Sequence, residues 1–228
     1  MRIGVKFSRL GMTKFISHLD VQSMFSRTLR RTGLPVRYSQ GFNPHIVTSF
    51  ASAMAVGLES TGEYMEFFTT APVEPEQVKE LLCRALPGGF CVEAVGELEE
   101  SGKKLMALVE AAAYEVYPEE NARELGEALR ALLAQEHCVI TKMRKGKTRE
   151  MDIRPLILHA EMAGDTILLR LALSGSQSLS PFTLLDTLAR QTGRAFSGRV
   201  VRKELYTLQD GNLKALDTLF QRWPGPMR

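Results

Sequence analysis

The chain has 228 residues, of which 44% are hydrophobic and 24% charged, a composition typical of a globular protein with a sizeable core. No window approaches the roughly 20 apolar residues of a membrane-spanning helix, and the first residues lack the apolar core of a signal peptide. The three cysteines include no C-x-x-C pair, which argues against a disulfide framework. We therefore expect a cytoplasmic protein with no membrane partner.

The formal net charge of +3 conceals a strong asymmetry along the chain. Residues 1–58 carry eight Lys or Arg against one acid, residues 59–136 carry six against seventeen, and residues 137–228 carry fifteen against eight. Two basic segments therefore flank an acidic one, which favours binding of a polyanion by both ends of the chain. The alternative is scattered, solvated charge.

The first hundred residues show the periodicities of strand, helix, strand, strand, helix, strand. Alternating apolar residues over 2–8 predict a strand. The next helix begins at Ser17, with Asp20 placed as in a capping box, and ends at Gly33. The further elements predicted here are strands at 35–40, 46–57, 62–70 and 89–98 and a helix at 75–86.

After a charged linker at 101–107 the order starts again. The second half is predicted to contain strands at 109–118 and 195–208, helices at 119–136, 180–193 and 212–223, two strands around Gly146, and a hairpin turning at Gly164-Asp165. We therefore predict an α+β fold of two tandem ferredoxin-like (βαββαβ) units. The first spans 1–100, and the second spans 108–228 with an extra β-hairpin and a C-terminal helix.

Three arginines on the first predicted helix are candidate nucleic-acid contacts. Arg27, Arg30 and Arg31 lie three and four residues apart and so share one helix face. Adjacent guanidiniums repel one another unless an anion lies between them, and phosphate matches a guanidinium bidentately. The alternative is ion pairing with glutamates elsewhere in the fold, namely Glu59, Glu63 or Glu66.

A second candidate is the basic turn around Gly146. Five cations flank it and one more follows, so the segment is suited to sequence-independent contact with a nucleic-acid backbone. An exposed, solubilising turn is the alternative. The residues predicted to bind here are Lys142, Arg144, Lys145, Lys147, Arg149 and Arg154.

The loop 38–45, with the sequence YSQGFNPH, is the third candidate. Tyr38 and Phe42 are suited to stacking on unpaired bases, and the polar side chains around them to hydrogen bonds with base edges or phosphates. Those polar residues are Gln40, Asn43 and His45. The sequence leaves open whether the two aromatic rings are exposed or belong to the core.

Catalysis has weaker support than binding. His18 and His45 are candidates for an acid–base pair in RNA cleavage, but a helix-cap role for one and a turn role for the other are the preferred interpretations. The histidines and cysteines lack metal-ligand spacing, and there is no Gly-rich phosphate loop or nucleophile elbow. We therefore expect no metal and no cofactor, and a protein that is not an enzyme on its own.

Four blocks, FISHLD, LRRTGLPVRYSQGFNPH, SFASAMAVGLESTGEYMEF and KGKTREMDIRP, resemble the bacterial radical SAM-associated family. The resemblance covers almost the entire chain. Members occur as stand-alone chains or fused to radical SAM proteins, and their genes lie near those for a radical SAM protein, a ribonuclease of the E/G type and large-subunit ribosomal proteins. The element order is also similar to that of CRISPR repeat-processing endoribonucleases.

The resemblance implies a set of recurring positions and shows two departures from it. Ile46 and Val47 stand where the family commonly has Pro-Lys, and Ser180-Pro181 stands where it often has Arg-Pro, so expected cations are missing at both points. The recurring positions are Phe15, Ser17, His18, Asp20, Arg30, Arg31, Gly33, Tyr38, Ser39, Gly41, Phe42, Pro44, His45, Lys145, Gly146, Lys147, Asp152, Arg154 and Pro155.

These observations lead to a first hypothesis and two alternatives. The first is an RNA-binding accessory protein that works with a radical SAM enzyme in ribosomal or transfer RNA maturation. The second is a metal-independent endoribonuclease with a histidine acid or base. The third is a protein-interaction module without RNA binding, whose acidic middle segment binds a basic partner.

Overall fold

The computed structural model describes residues 1–144 and 147–221, and the side chains of residues 142–144 and 147 also lie outside that description. The fold is α+β, as predicted, with mostly antiparallel strands and four α-helices in the described residues. The chain divides into two compact units. One comprises residues 1–109 and 204–228, and the other comprises residues 110–203.

The first unit contains an antiparallel sheet in the order β4-β1-β3, with β2 also paired to β3. Its core is aromatic: the Phe7 and Phe25 ring centroids lie 4.7 Å apart, and both side chains are buried. The elements are β1 (Arg2–Arg9), α1 (His18–Arg31), β2 (Thr48–Phe50), β3 (Glu59–Phe68), α2 (Pro75–Ala85) and β4 (Phe90–Leu98).

Helix α1 begins and ends where its sequence predicts. The Ser17 hydroxyl accepts a hydrogen bond from the backbone N–H of Asp20 at 3.2 Å and donates to the Asp20 carboxylate at 2.7 Å. Gly33, just beyond the helix, has a φ of +71°, a conformation that glycine adopts without strain. Val21, Phe25, Thr28 and Leu29 form the buried inner face of this helix, and the opposite face is exposed.

The second unit contains strands in the order β10-β5-β9-β8 and a separate two-stranded hairpin, β6-β7. Strand β10 begins in this unit and ends in the first one. The elements are β5 (Ala111–Pro118), α3 (Ala122–Leu133), β6 (Val139–Arg144), β7 (Lys147–Asp152), β8 (Ile157–Ala163), β9 (Thr166–Ala172), α4 (Pro181–Thr192) and β10 (Gly198–Gln209).

The predicted C-terminal helix at 212–223 is wrong in the part of it that the structure describes. Asn212–Ala215 forms strand β11, which pairs with β10, and Leu216–Leu219 forms a 3₁₀ turn. Asp210 and Gly211 between the two strands have φ values of +51° and +76°. Two adjacent positive φ angles at Asp-Gly are typical of a tight β-hairpin turn. This turn directs the residues that follow it into a strand, although their apolar spacing is helical.

Two strands predicted before β3 are shorter than expected. In the segment 35–40 only Val36 and Tyr38 form single bridges, to Thr69 and Ile46, and the segment 46–57 contributes only the three residues of β2. Proline at the start of the first segment lacks a backbone donor, and the loop that follows folds back on itself, so no continuous ladder forms.

The predicted linker is packed into the first unit. Arg2 donates to the backbone carbonyls of Glu99, Gly102 and Lys103, and its guanidinium also binds the buried Glu66 carboxylate. Leu105, in a 3₁₀ turn, is 1% exposed. The unit boundaries differ accordingly from the predicted division at 100 and 108, because residues up to 109 and those from 204 onward belong to one unit.

Within the described residues, no helix combines the length and the apolar character needed to span a membrane.

Candidate nucleic-acid interface

The loop 38–45 is closed at its base by a clasp between Ser39 and His45. The Ser39 N–H donates to the His45 carbonyl at 2.8 Å, and the His45 N–H donates to the Ser39 hydroxyl oxygen at 3.1 Å. The His45 Nδ1 atom also lies 2.9 Å from that oxygen. Three hydrogen bonds therefore hold both ends of the loop together, and the His45 ring takes part in them.

The aromatic side chains of this loop are exposed. Phe42, at the tip, has a relative exposure of 105%, and Tyr38 is 43% exposed. Gln40 and Asn43 are exposed as well. The alternative that the two rings belong to the core is therefore wrong, and a fully exposed phenylalanine on a closed loop is free to contact a ligand.

The base of the loop is fixed to the sheet. Arg37 donates its backbone N–H to the Phe68 carbonyl at 2.7 Å and accepts from the Val47 N–H at 3.0 Å. The Arg37 guanidinium carbon lies 3.8 Å from the centroid of the Phe68 ring, and one of its nitrogens lies 3.9 Å from the Glu100 carboxylate. These contacts of Arg37 therefore fix the base of the loop to the neighbouring strand.

Of the three arginines on α1, two are available to a ligand. Arg27 and Arg30 are exposed, and in the part of the chain that the structure describes neither has a polar partner. Arg31 donates to the Thr28 hydroxyl at 3.1 Å and to the Ala85 carbonyl at 2.7 Å, so it ties α1 to the last residue of α2. Helix α1 thus presents two uncompensated cations and one structural arginine.

The glutamates proposed as alternative partners are engaged elsewhere. Glu66 binds Arg2, and Glu59 lies 3.7 Å from the Lys14 ammonium. Glu63 is also buried, at 3% exposed. The alternative of ion pairing between these glutamates and the α1 arginines is therefore wrong.

The basic hairpin β6-β7 pairs in a register that groups its cationic positions. Position 142 pairs with 149, and position 144 pairs with 147, so all four positions fall on the same face of the two-stranded ladder. Arg149 is exposed and, among the described residues, has no polar partner. Lys145, together with the side chains of Lys142, Arg144 and Lys147, lies outside the described residues.

The root of this hairpin is held by Asp152. Its carboxylate accepts from the backbone N–H groups of Cys138 at 2.9 Å and Arg154 at 3.0 Å, and it lies 2.8 Å from His137 Nδ1. The Cys138 N–H, followed by the hydrogen bond with His137, lowers the pKa of Asp152. Arg154 donates from Nε to the Leu133 carbonyl at 3.1 Å, which gives this predicted RNA contact a structural role at the end of α3.

The two histidines considered for catalysis have separate environments. His18 is half-buried, with Nε2 3.0 Å from the Gln22 amide nitrogen and its ring edge-on to Phe50 at 5.6 Å. The His45 ring lies in the loop clasp with Ser39. Within residues 1–144 and 147–221, no group of three or more His, Cys, Asp or Glu is placed to hold a metal ion.

Exposed apolar side chains before and at the start of α1 were not predicted. Met12, Phe15 and Leu19 are 79%, 57% and 71% exposed. Beneath them Arg9, itself 1% exposed, donates to the Thr13 carbonyl at 2.6 Å and to the Ile16 carbonyl at 2.5 Å. A buried guanidinium thus fixes the short 3₁₀ turn, Gly11–Phe15, that carries Met12 and Phe15, and Leu19 follows in the first turn of α1. A group of exposed apolar side chains is a feature of contact surfaces.

A polar cluster near the C-terminus of the first unit was also missed, because its members lie about 200 residues apart in sequence. Lys6 Nζ lies 2.6 Å from Glu204 and 2.8 Å from Asp217, and the Tyr64 hydroxyl donates to Glu204 at 2.6 Å. Burial raises the pKa of Tyr64, and the Glu204 carboxylate raises it further. Burial alone lowers the pKa of Lys6, but its hydrogen bonds to Asp217 and Glu204 and their charges raise it overall.

Residues 2–181 match the family described as "Uncharacterized protein conserved in bacteria (DUF2344)". The chain belongs to that family. The candidate interface, namely the loop 38–45, helix α1, the basic hairpin and Arg154, lies within the matched residues.

Two further comparisons add little to this assignment. No curated protein matches the chain. A crystal structure of an unknown protein from Galdieria sulphuraria is similar to this chain at 15% identity and a TM-score of 0.27, covering 88% of this chain and 98% of that one. At such a TM-score the similarity supports no argument about fold or function.

Proposed function

We propose that this chain is an RNA-binding accessory protein that works with a radical SAM enzyme in the maturation of ribosomal or transfer RNA. The observation that carries the proposal is the loop 38–45, where a fully exposed Phe42 stands on a closed and anchored clasp. An exposed ring costs solvation free energy and contributes nothing to the core, whereas unpaired bases stack on such rings.

The charges support a phosphate-bearing ligand. Arg27, Arg30 and Arg149 are exposed cations that the described residues leave uncompensated. Guanidinium groups in this state bind phosphate through charge-assisted, bidentate hydrogen bonds. The RNA would therefore be held through its backbone by the arginines and through its bases by the loop.

We also propose that each unit is ferredoxin-like, the fold class of many RNA-binding domains. The orders β4-β1-β3-β2 in the first unit and β10-β5-β9-β8 in the second support this assignment, with β6-β7 as an insertion in the second. The three free thiols, of Cys83, Cys91 and Cys138, support a cytoplasmic location, because reducing compartments preserve free thiols.

The test is the salt dependence of RNA binding by the purified protein. Arg27→Glu with Arg30→Glu should lower the affinity for RNA about tenfold or more, and should reduce the slope of log affinity against log salt by about 1 to 2. The matched control is Arg84→Glu with Arg123→Glu, the same double charge change at exposed arginines that pair with Glu80 and Glu127. Equal binding by the double variant and the control would refute the role of the α1 arginines.

A second candidate, a metal-independent endoribonuclease, is favoured by one observation. His137 Nδ1 lies 2.8 Å from an Asp152 carboxylate that two backbone N–H groups orient, an arrangement that directs the other ring nitrogen outward as a general base. RNA incubated with the protein in chelator should then yield discrete fragments, and His137→Ala should abolish them. Intact RNA with the wild-type protein would remove this candidate.

The proposed contact with a radical SAM protein requires a separate test. Met12, Phe15 and Leu19 support a contact with the radical SAM protein, because exposed apolar side chains on a fixed turn are typical of protein interfaces. Changing Phe15 and Leu19 to serine should lower co-purification of that protein without lowering RNA affinity. The alternative of a protein-interaction module would be favoured if the protein bound no RNA. Its co-purification with the partner would then survive nuclease treatment and would depend on Phe15 and Leu19.

A further inference from the structure

The second unit has a sheet face that none of its described elements covers. Along β9 the buried residues Ile167, Leu169 and Leu171 alternate with the half-buried Leu168 and Arg170. Because successive side chains of a strand point to opposite faces, the second set lies on the face away from the core. We name this surface the open sheet face, formed by Glu115, Tyr117, His159, Leu168, Arg170 and Lys203.

The equivalent face of the first unit is closed by its own chain. The Phe220 side chain packs so tightly on β1 and β4 that a Cβ atom on Gly4 or Gly96 would come within 2.4 Å of it. The Phe220 ring lies 6.1 Å from the Tyr64 ring. In the second unit the corresponding surface remains accessible, with side-chain exposures of 50% for His159 and 41% for Lys203.

The open sheet face contains a cavity of about 260 Å³. Ala113 and Leu168 contribute apolar surface to its lining, which also includes the charged residues Arg170, Lys203, Glu115 and Glu161. Small-molecule sites occupy roughly 300–1,000 Å³, so this cavity is suited to one planar ring and not to a larger ligand. Its mixed donors and acceptors match the edge of a nucleobase, which carries both.

An aromatic platform lies on the same face. The Arg199 guanidinium carbon is 4.6 Å from the centroid of the Tyr117 ring, and the Tyr117 hydroxyl donates to Glu115. Lys203 Nζ lies 3.2 Å from the same carboxylate. The ring is therefore held in one orientation, and stacked tyrosine and guanidinium groups are surfaces on which unpaired bases stack.

Charge and polarity select the occupant. The surface carries three cations, Arg170, Arg199 and Lys203, against the two carboxylates of Glu115 and Glu161, around one small apolar area. A ligand with phosphate charge and with hydrogen-bond donors and acceptors fits this surface better than an apolar peptide does. Cations that border aromatic and base-sized sites on a sheet are the features by which four-stranded sheets bind single-stranded RNA.

We propose that the open sheet face binds single-stranded RNA, with one unpaired base in the cavity and a neighbouring base stacked on Tyr117 and Arg199. This inference rests on the proposed RNA-binding function and names its substrate class as a single-stranded segment. It adds a second binding surface, in residues 110–203, to the loop and arginines of the first unit.

The experiment measures binding of the full-length protein to a fluorescent 12-nucleotide single-stranded RNA and to a 12-base-pair RNA duplex. Leu168→Glu places a carboxylate in the cavity and should lower affinity for the single strand about tenfold, the change expected for one lost base contact, with little change for the duplex. The matched control is Leu158→Glu, the same change at a 47% exposed residue that does not line the cavity.

Photocrosslinking of the wild-type protein to 4-thiouridine-labelled single strands provides a readout that does not depend on a variant's folding. A crosslink at Tyr117 with weakened binding by Leu168→Glu supports the proposal. If Leu168→Glu binds the single strand as tightly as the wild type does, or if crosslinks are confined to residues 38–45, the proposal for the open sheet face is overturned. The proposed RNA-binding function of the protein is retained in that case. Absence of any RNA binding by the wild type overturns both, and a dimer that Leu168→Glu dissociates would assign this face to a second copy.

Discussion

Phe42 shows how a single side chain separates binding from stability. Its ring is fully exposed, so its removal takes no apolar area out of the core. Phe42→Ala should therefore change the free energy of unfolding by less than about 0.5 kcal/mol, while it lowers RNA affinity about tenfold. Thermal melts and fluorescence anisotropy measure the two effects.

Phe67→Ala is the matched comparison, because Phe67 is 0% exposed in the core of the same unit. That change should destabilise the protein by about 3–5 kcal/mol. A Phe42→Ala variant that melted as early as Phe67→Ala would contradict an exposed, ligand-facing ring.

Asp152 predicts a pH dependence of stability. The pKa of Asp152 in the folded chain is lower than the value of about 3.9 in an unfolded chain. The chief causes are the hydrogen bond that its carboxylate accepts from the Cys138 N–H and its hydrogen bond with His137. The ionised carboxylate therefore stabilises the fold above about pH 4, and this contribution is lost as the pH falls through the folded pKa.

Asp152→Asn keeps an acceptor oxygen and removes the charge. The variant should melt earlier than the wild type at pH 7, and the difference should shrink as the pH falls through the lowered pKa of the folded wild-type carboxyl. Melting temperatures from pH 2 to 8 measure this, and a gap that stays constant across the series would show that the charge of Asp152 contributes nothing.

At the scale of elements, α1 carries arginines of two kinds on its exposed side, two without a polar partner among the described residues and one that is hydrogen-bonded. Arg31 satisfies the Ala85 carbonyl at the end of α2, whereas Arg27 and Arg30 make no such contact. Arg31→Ala should therefore cost about 0.5–1.5 kcal/mol of stability, and Arg27→Ala close to none. Urea unfolding of the two single variants measures this, and equal midpoints would mean that Arg31 does not hold the two helices together.

The elements also show where local signals suffice. The capping residues of α1 and the apolar periodicity of β1, β3, β4 and α3 predict those elements, because each signal acts within a few residues. In residues 212–221 the predicted α-helix does not form, because its helical spacing competes with the Asp210-Gly211 turn and with pairing to β10. Pairing with a distant strand decides whether such a segment becomes a helix or a strand, and local sequence does not show which strand will pair with it.

For the whole molecule, the first unit is built from both ends of the chain. Lys6 is paired with Glu204 and Asp217, and Phe220 fills the space left by Gly4 and Gly96. A fragment of residues 1–109 lacks these partners, which leaves a cation uncompensated and apolar surface exposed. The second unit, residues 110–203, is continuous.

Fragments test this organisation directly. Residues 110–203 should unfold cooperatively on their own, whereas residues 1–109 should show no cooperative melt unless a peptide of residues 204–228 is added. Calorimetry of each fragment, alone and with the peptide, measures the effect. A fragment 1–109 that melted like the full-length protein would show that the C-terminal segment is dispensable.

The sequence by itself determined the α+β class, most of the elements, and the segments that carry the candidate contacts. It did so because helix caps, strand alternation and charge clusters are local properties that a reader of one chain can see. Only the tertiary structure decided that Tyr38 and Phe42 are exposed. It also decided that Arg31 and Arg154 bind backbone carbonyls, whereas Arg27 and Arg30 have no polar partner among the described residues. It further decided that Phe220 covers one sheet face while another is open. Burial and pairing depend on residues up to 200 positions away, and no local pattern encodes which of them will meet.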